Sequence, residues 1–504
     1  MMHWQAMLLM TALGFAGAAA AGADPAGTPL SAPLRVDVIY SHDNAPNAPG
    51  IDELPRRESI TQYGITWTFD TAVPVGQFVT GDYYVVGPVT VTSVSPRPLF
   101  GDEVDEPTEQ EHRDFPGQMA RHGSVLNMEA TAYPPFDSRT QGRRYNPETF
   151  AQFPVQMEPG DVLISTISVD DVSARQRMLG PSDHTNVSRV QSAAILICLA
   201  EPVPADAFRP AYAEPEPELY FARDLRRDLL PRLDSPDSAR LQYMTRAFER
   251  PWIDNVFFGF TAPVDNTPQY GREVGRAAGM GTLTLMLDHD PHDQERLLLG
   301  IVQAGIDYWG LIRSGHGGYP AHGGHGSGRK WILVFTGLML GDEDMQNPYQ
   351  RFPEAVFGED MQTTYGQGWT GARALYAGHV GPDGEQDRGW GLYEHLPPEQ
   401  WEHRIGESYR NCCTSIAWVG QALAIHLMQA QEIWDHDAYL DYADRWMYED
   451  NTEFRARIEE ATGWRFGSQG STWDAFVNDM WARYRTAEGM PPIDGWRLGA
   501  DTSP

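Results

Sequence analysis

The sequence predicts a two-domain α+β protein, in which an N-terminal antiparallel β-sandwich precedes a helical domain. Residues 33–200 contain short apolar runs with the alternation of half-buried strands. Over residues 218–490 the apolar residues instead recur with the spacing of helices. Between the two, residues 201–217 are rich in Pro, Ala and Glu, a composition typical of a linker. The 504 residues suit this division, since a domain usually has about 100–200 residues.

The β-rich part begins with one clearly alternating strand. In the stretch 63–69, Tyr, Ile, Trp and Phe alternate with Gly and Thr, so the large side chains share one face of a sheet. Residues 89–91, 162–169 and 193–199 are further short runs with β-branched side chains, separated by turn-forming residues. Two packed antiparallel sheets are the arrangement that buries one face of each.

The helical part contains several amphipathic or wholly apolar segments. Thr267–Pro268 predicts a helix start, because Thr caps a helix and Pro suits its first turn, and an apolar stripe follows as far as Leu285. A second stripe runs over residues 297–311, and residues 331–340 form a short apolar helix. The segment 412–427 is apolar on almost all sides, which predicts a buried helix.

A long irregular segment interrupts these helices. Residues 357–408 have no regular period but carry several Tyr and Trp residues, which argues against disorder. Loops of this length in a compact domain are usually functional.

The amino terminus and the net charge limit where the protein acts. Residues 1–23 resemble a secretory signal peptide, with an apolar run and then small residues before Asp24, although the start of the segment lacks Lys and Arg. No segment is long and apolar enough to span a bilayer. We expect a secreted or periplasmic protein without membrane insertion. The formal net charge of −31 excludes wholesale binding to nucleic acid or to an anionic membrane.

Three cysteines are too few for a disulfide framework. Cys412 and Cys413 are adjacent, and adjacent cysteines rarely bridge each other. A bond from Cys198 to either of them is open on sequence alone. We interpret all three as small, buried apolar residues.

The most distinctive stretch is Gly315–Lys330, which we call the glycine loop. Its glycines predict a segment without helix or strand and leave room for other side chains to converge. A histidine here is a candidate general base, because its unperturbed pKa lies near neutrality. His316, His322 and His325 can also ligate a metal, although their separation by five and then two residues matches no zinc signature.

Other side chains of the glycine loop suit an acid or an anion site. Tyr319 is a candidate proton donor, and Arg329 and Lys330, the one lysine of the chain, can hold an anionic group. The loop does not fit the phosphate-binding loop of nucleotide enzymes, because Arg329 stands where that motif has lysine. The remaining alternative is a flexible loop with exposed histidines.

Two further segments place polar residues near the start of predicted helices. Tyr270, Arg272 and Arg276 follow Thr267–Pro268, and the two arginines share a helix face near backbone N–H groups that favour an anion. The alternative is a solvated helix face. The second segment, Glu407–Asn411, precedes the buried helix and places Tyr409, Arg410 and Asn411 at a cavity mouth, with simple capping by Asn411 as the alternative.

Carboxylates for a hydrolase cannot be chosen by spacing. The chain has 69 Asp and Glu residues, and no pair has a diagnostic separation. Those in loops at the ends of predicted helices are Asp254, Asp265, Glu359, Asp360 and Glu407.

A β-rich domain followed by a helical domain with aromatic, polar loops resembles secreted polysaccharide-active enzymes built on an (α/α) toroid. The resemblance covers the architecture from about residue 33 onward and rests on residue types rather than on a motif. It implies a toroid-like helical domain. Polysaccharide lyases of this kind use His and Tyr as base and acid, with Asn or Arg to neutralise a uronate carboxylate. Many of them place the toroid before the β-sandwich, whereas several glycoside hydrolases and phosphorylases have the order seen here.

We therefore expect a secreted polysaccharide lyase that cleaves a uronate-containing glycan by β-elimination without a cofactor. The alternatives are a toroid glycoside hydrolase with two carboxylates and a non-catalytic glycan-binding or cell-surface protein. A divalent metal on the three loop histidines is the alternative to a cofactor-free site. The candidate catalytic residues are His316, Tyr319, His322, His325, Tyr270 and Tyr409. The candidate substrate-binding residues are Arg272, Arg276, Arg329, Lys330, Arg410 and Asn411, with Trp369, Trp390 and Trp401 as flat faces for sugar rings.

Overall fold

A curled β-sheet and a set of helices make up the described part of the chain, which is therefore mixed α+β. Residues 33–504 form one compact unit. The predicted signal peptide, residues 1–23, and Trp390 lie outside the described residues. The computed structural model describes residues 35–140, 144–170, 188–214, 217–234, 237–256, 261–268, 270–378, 391–401 and 405–499.

The N-terminal part is built from strands and one short helix, α1 (Glu109–Asp114). Eight of the strands join in one sheet, and two short ones, β5 and β6 below, pair only with each other. The strands are β1 (Arg56–Gln62), β2 (Ile65–Gln77), β3 (Tyr83–Val86), β4 (Val89–Ser95), β5 (Leu99–Phe100), β6 (Ala120–Arg121), β7 (Ser124–Leu126), β8 (Val155–Met157), β9 (Val162–Ser168) and β10 (Val190–Leu199).

The sheet curls because the long strand β2 has three neighbours. The sheet order is β7-β9-β10-β3-β2-β4-β8, and β1 also pairs with β2. The first half of β2 pairs with both β1 and β4, whereas its last residues pair with β3. The pairing of β10 with β3 is parallel, so the sheet is not wholly antiparallel. A sandwich of two separate sheets remains a prediction.

The predicted alternating strand begins two residues later than its pattern indicated. Tyr63 and Gly64 form the turn between β1 and β2, with positive φ angles of 51° and 83°, as a two-residue hairpin turn requires. Within β2, the side chains of Ile65, Trp67 and Phe69 are buried, in agreement with the alternation.

Two apolar cores lie on opposite faces of the sheet. Along β10, Leu196 and Cys198 belong to a core enclosed by strands, whereas Ile195 and Ile197 belong to a larger core shared with the helices. The β-region is therefore packed directly against the helical region.

The helical part holds most of the remaining elements, together with four short strands. The strands are β11 (Gly318–Tyr319), β12 (Val356–Phe357), β13 (Thr363–Tyr365) and β14 (Ala374–Tyr376). The helices are α2 (Ser238–Phe248), α3 (Gly271–Leu285), α4 (Pro291–Arg313), α5 (Arg329–Leu340), α6 (Glu343–Gln346), α7 (Pro348–Arg351), α8 (Gly358–Gln362), α9 (Ile405–Tyr409), α10 (Ser415–Leu427), α11 (Gln431–Trp434), α12 (Asp437–Tyr448), α13 (Thr452–Thr462) and α14 (Ala475–Tyr484).

The three segments that the sequence singled out lie at the ends of these helices. The glycine loop joins α4 to α5, and Tyr270 caps the start of α3. Between α9 and α10 the chain forms a π-helical stretch, Arg410–Thr414. Within the described ranges, no helix has both the length and the apolar character needed to cross a membrane. The closed toroid remains a prediction.

Within the predicted linker, residues 206–213 are packed into the interior. Phe208, Arg209 and Tyr212 are almost completely buried. The guanidinium of Arg209 donates to Asp82 beside β3 at 3.0 Å and to Asp307 on α4 at 2.6 and 3.0 Å. This segment is therefore a fixed connection between the sheet and the helices.

Candidate functional site

The three segments chosen from the sequence meet in the folded chain. A Cβ atom on Gly271, at the start of α3, would lie 2.0 Å from the carbonyl oxygen of His325 in the glycine loop. A Cβ on Gly324 would lie 2.3 Å from the carbonyl oxygen of Cys413, and one on Gly323 would lie 2.4 Å from the ring of Tyr409. Glycine is needed at these points because any side chain would push the backbones apart.

Their meeting point contains two tyrosines and a histidine, which we call the tyrosine–histidine cluster: Tyr270, His325 and Tyr409. The ring of Tyr270 stands edge-on to the imidazole of His325, with 4.4 Å between the centroids. Burial raises the pKa of Tyr270, and the neighbouring Tyr409 adds to this shift. Burial also raises the pKa of Tyr409. Both phenols therefore keep their protons at neutral pH and can act as proton donors.

His316 and Tyr319 occupy a more deeply buried part of the glycine loop. His316 Nε2 lies 2.9 Å from the carbonyl oxygen of Asn255, to which it can only donate, and burial lowers the pKa of this imidazole. The Tyr319 hydroxyl donates to the carbonyl oxygen of Asp254 at 3.3 Å, and burial holds the pKa of this phenol well above its usual value. Their rings pack together at 4.8 Å. Both residues thus anchor the loop to residues 254–255.

His322 is half-buried and adopts a positive φ of 35°. This backbone conformation is unusual for a residue with a side chain. It helps the glycine loop turn between Ala321 and Gly323, at the point where the loop approaches Tyr409.

The two cations that end the glycine loop face carboxylates in the interior. Arg329 forms a bidentate pair with Asp254, at 2.8 and 3.0 Å, and is 1% exposed. Lys330 donates to Asp360 at 2.7 Å and to the carbonyl oxygen of Trp434 at 2.9 Å. Their positive charges are compensated inside the fold, so they hold the loop in place.

Arg272 and Arg276 share a face of α3, as their spacing predicted, and both pair with Glu273. Arg276 also forms a bidentate pair with Asp474. Arg272 donates to the carbonyl oxygen of Cys412 at 3.1 Å, which ties α3 to the π-helical stretch. The pair of arginines is charge-balanced by Glu273 and Asp474.

The π-helical stretch carries a disulfide bond between the adjacent residues Cys412 and Cys413. The interpretation of all three cysteines as free apolar residues is therefore wrong for these two. Cys198 is a buried free thiol in the strand core. Adjacent cysteines can bridge only in an irregular backbone, and π-helical turns of this kind are frequent at functional sites.

A small pocket lies beside this stretch, and we call it the tryptophan cavity. It brings together four of the predicted substrate-binding residues with carboxylates and further arginines. Those four are Trp369, Trp401, Arg410 and Asn411, and the carboxylates are Glu394, Glu407 and Glu449.

Arg410 is the centre of the tryptophan cavity. Its Nη1 lies 3.2 Å from Glu407 and 3.5 Å from Glu394, so these two carboxylates approach the same nitrogen. Asn411 donates to Glu407 at 2.7 Å. Burial opposes ionisation of Glu394, but Arg410 and Arg445 outweigh it and hold the pKa of Glu394 below its usual value. The carboxylate of Glu394 is thus an ionised partner of the arginines.

Several residues of this site carry no sequence signal. Glu273, Glu394 and Glu449 were not predicted. Glu394 meets Arg445 across 51 positions, whereas Glu273 and Glu449 pair with arginines on their own helices or directly after them, a spacing that many surface acids share. Among the acids that were considered, Asp254, Asp360 and Glu407 pair with cations here, and Asp265 pairs with Arg250 elsewhere.

No group of three or more His, Cys, Asp or Glu side chains within the described ranges is arranged to hold a metal ion. His316, His322 and His325 do not form such a group. Comparison with protein-family models, curated proteins and solved structures finds no match to this chain.

Proposed function

We propose that the protein is a secreted or periplasmic polysaccharide lyase that cleaves a uronate-containing glycan by β-elimination. The observation that supports this most is the tyrosine–histidine cluster, which three separate segments of the chain build together. Elimination needs a base to remove the proton beside the uronate carboxylate and an acid to protonate the leaving oxygen. Histidine and protonated tyrosine supply these two functions without a metal.

In this proposal His325 is the base and Tyr270 is the acid. His325 is half-buried, and Tyr270 is a phenol that keeps its proton at neutral pH. Tyr409 also keeps its proton and lies against Gly323 of the glycine loop, near Tyr270, so we assign it as an alternative donor to the same oxygen.

Arg272 is assigned to orient the substrate carboxylate. Its contacts with Glu273 and with the carbonyl oxygen of Cys412 engage one N–H on each of its nitrogens. A guanidinium has five N–H groups, so two remain for a ligand. Because the neighbouring acids balance its charge, Arg272 would act through directed hydrogen bonds more than through net charge.

A panel of polysaccharides with two readouts tests the reaction type. The lyase proposal expects an unsaturated, ultraviolet-absorbing product from a uronate polymer such as polygalacturonate, alginate or hyaluronan. His325→Ala should lower the rate by roughly a hundredfold to ten-thousandfold. The exposed His42→Ala is the matched control. Full activity in H325A would remove the cluster from the mechanism.

A glycoside hydrolase is the second candidate, favoured by the tryptophan cavity. Its two tryptophans offer faces for sugar rings, and Glu407 and Glu394 lie close enough to contact one nitrogen of Arg410. A hydrolase would give new reducing ends without the unsaturated product, and Glu407→Gln would abolish them. Binding without either product would leave the third alternative, a non-catalytic glycan-binding protein.

A further inference from the structure

Trp473 is the most exposed of the large apolar side chains in the described ranges, with 56% of its surface accessible. It lies two residues before α14 and belongs neither to the tyrosine–histidine cluster nor to the tryptophan cavity. A tryptophan this exposed leaves a large apolar surface in contact with water, and this surface is accessible to a ligand.

One face of the indole rests on buried arginines. The guanidinium carbon of Arg272 lies 4.3 Å from the centroid of the Trp473 ring, and that of Arg276 lies 5.9 Å away. Cations attract the electron-rich face of an indole. Both arginines are held by Glu273, so this side of the ring has a fixed support.

The backbone on both sides of Trp473 is also fixed. Asp474 forms two hydrogen bonds with Arg276, at 2.7 and 2.9 Å. The N–H of Thr472 donates to Asn478, and the Asn478 amide donates back to the carbonyl oxygen of Thr472. A ligand that stacks on Trp473 therefore meets a surface already ordered, and little conformational entropy is lost on binding.

Arg272 links this surface to the tyrosine–histidine cluster. The guanidinium that supports Trp473 also lies 5.5 Å from the ring centroid of Tyr270 and donates to the backbone of Cys412. A molecule on the open face of the indole has the ring between it and this guanidinium, so it occupies a site outside the cluster.

We infer that Trp473 is a carbohydrate-stacking platform, which holds a sugar ring of the glycan outside the tyrosine–histidine cluster, on the face of the indole that points away from Arg272. The CH groups of a pyranose form a flat apolar patch that packs on an aromatic face. The inference rests on the proposed function for the identity of the ligand as a glycan. Binding and turnover are separate measurements, so the two proposals can fail independently.

The test compares the full-length wild type with Trp473→Ala, Trp473→Phe and the control Trp464→Ala. Trp464 is the other exposed tryptophan of the described ranges, at 38%. Affinity electrophoresis in gels with polygalacturonate, alginate, hyaluronan or neutral xylan gives each Kd. We expect W473A to raise the Kd for the bound glycan about tenfold, W473F to raise it less, and W464A to leave it unchanged.

Three results would each overturn the inference. The first is the same Kd for the wild type and both Trp473 variants, and the second is no binding of any of the four glycans by the wild type. The third is a change of sedimentation in W473A, which would mark Trp473 as a contact between copies of the chain. W473F keeps an aromatic ring and guards against a folding defect in W473A. Weaker binding by W473A without unsaturated product in any assay would support the platform and reject the lyase. Unsaturated product from the wild type, together with an unchanged Kd in W473A, would support the lyase and reject the platform.

Discussion

Glu359 is a fully buried carboxyl group next to the glycine loop. Its Oε1 accepts a hydrogen bond from the backbone N–H of Gly328, whereas its Oε2 has no hydrogen-bond partner in the described ranges. Burial raises the pKa of Glu359 to about 7, because the single hydrogen bond from Gly328 only partly replaces the water that stabilises a charged carboxylate. The folded protein therefore keeps this proton at a pH where the unfolded chain releases it.

The free energy of unfolding should depend on pH through this residue. Its stabilising contribution is complete below the unfolded-state pKa of 4.5 and is lost as the pH rises through the folded-state pKa of about 7. The loss amounts to about 3 kcal/mol. Glu359→Gln cannot ionise and should lack this part of the decline in urea denaturation over the same range. The exposed Glu432→Gln is the control, and identical profiles for E359Q and wild type would contradict the prediction.

At the residue scale, the sequence indicates which side chains are unusual but not which are paired. The histidines and Lys330 stand out by their surroundings, and the glycine loop does meet the segments at Tyr270 and Tyr409. The partners of the cations could not be predicted, because Arg329 meets Asp254 across 75 positions and Lys330 meets Asp360 across 30. Only folding brings such acids to the guanidinium or ammonium group.

At the element scale, the glycine loop has room for a larger side chain at some of its glycines and none at others. Gly324 packs against the backbone of Cys413, whereas nothing lies within 4 Å of the position where a Cβ of Gly317 would stand. Neither glycine has a positive φ, so the difference between them is one of space.

Gly324→Ala should destabilise the protein by about 1–3 kcal/mol, because its methyl group must displace the carbonyl of Cys413. Gly317→Ala, in the same loop, should change the free energy of unfolding by less than about 0.5 kcal/mol. Urea denaturation measures both. G324A should also lose the proposed activity, since the displaced π-helical stretch contains Asn411 and directly follows Tyr409. Equal stability of the two variants would show that the close approach is relaxed in solution.

Helices are predicted better than their caps and irregular turns. The apolar stripes place α4, α5 and α10 within a few residues, because a buried face forces the periodicity. The π-helical stretch and its disulfide were missed, since an extra residue in a helical turn has no periodic signature. The start of α3 was also placed early, at Thr267–Pro268, whereas the helix begins at Gly271.

At the scale of the whole molecule, one buried cation joins the two kinds of structure. Arg209 contacts Asp82, next to the sheet, and Asp307, on α4, and none of the three is exposed to water by more than a few per cent. The Pro, Ala and Glu of residues 201–217 predicted a linker between two domains. The prediction missed the burial because the two partners are 127 and 98 residues away.

Arg209→Met should cost about 3–5 kcal/mol of stability, because it leaves two buried carboxylates without a cation. In the wild type, the sheet and the helices should unfold together in a single transition, since they share a core. Arg351→Met removes an exposed ion pair with Asp344 and serves as the control, with little effect expected. Calorimetry of the three proteins measures both points, and two separate wild-type transitions would contradict a shared core.

The internal pairing of cations also affects how the proposed anionic glycan would approach the protein. The chain has 38 Lys and Arg residues against 69 Asp and Glu, and several of the cations are turned inward against acids. The surface is left acidic, and an anionic glycan is repelled during its approach. Salt shortens the range of this repulsion, from about 30 Å at 0.01 M to about 8 Å at 0.15 M. We expect KM for an anionic glycan to fall as salt is added, while KM for a neutral glycan stays constant, so the protein would work best in saline surroundings.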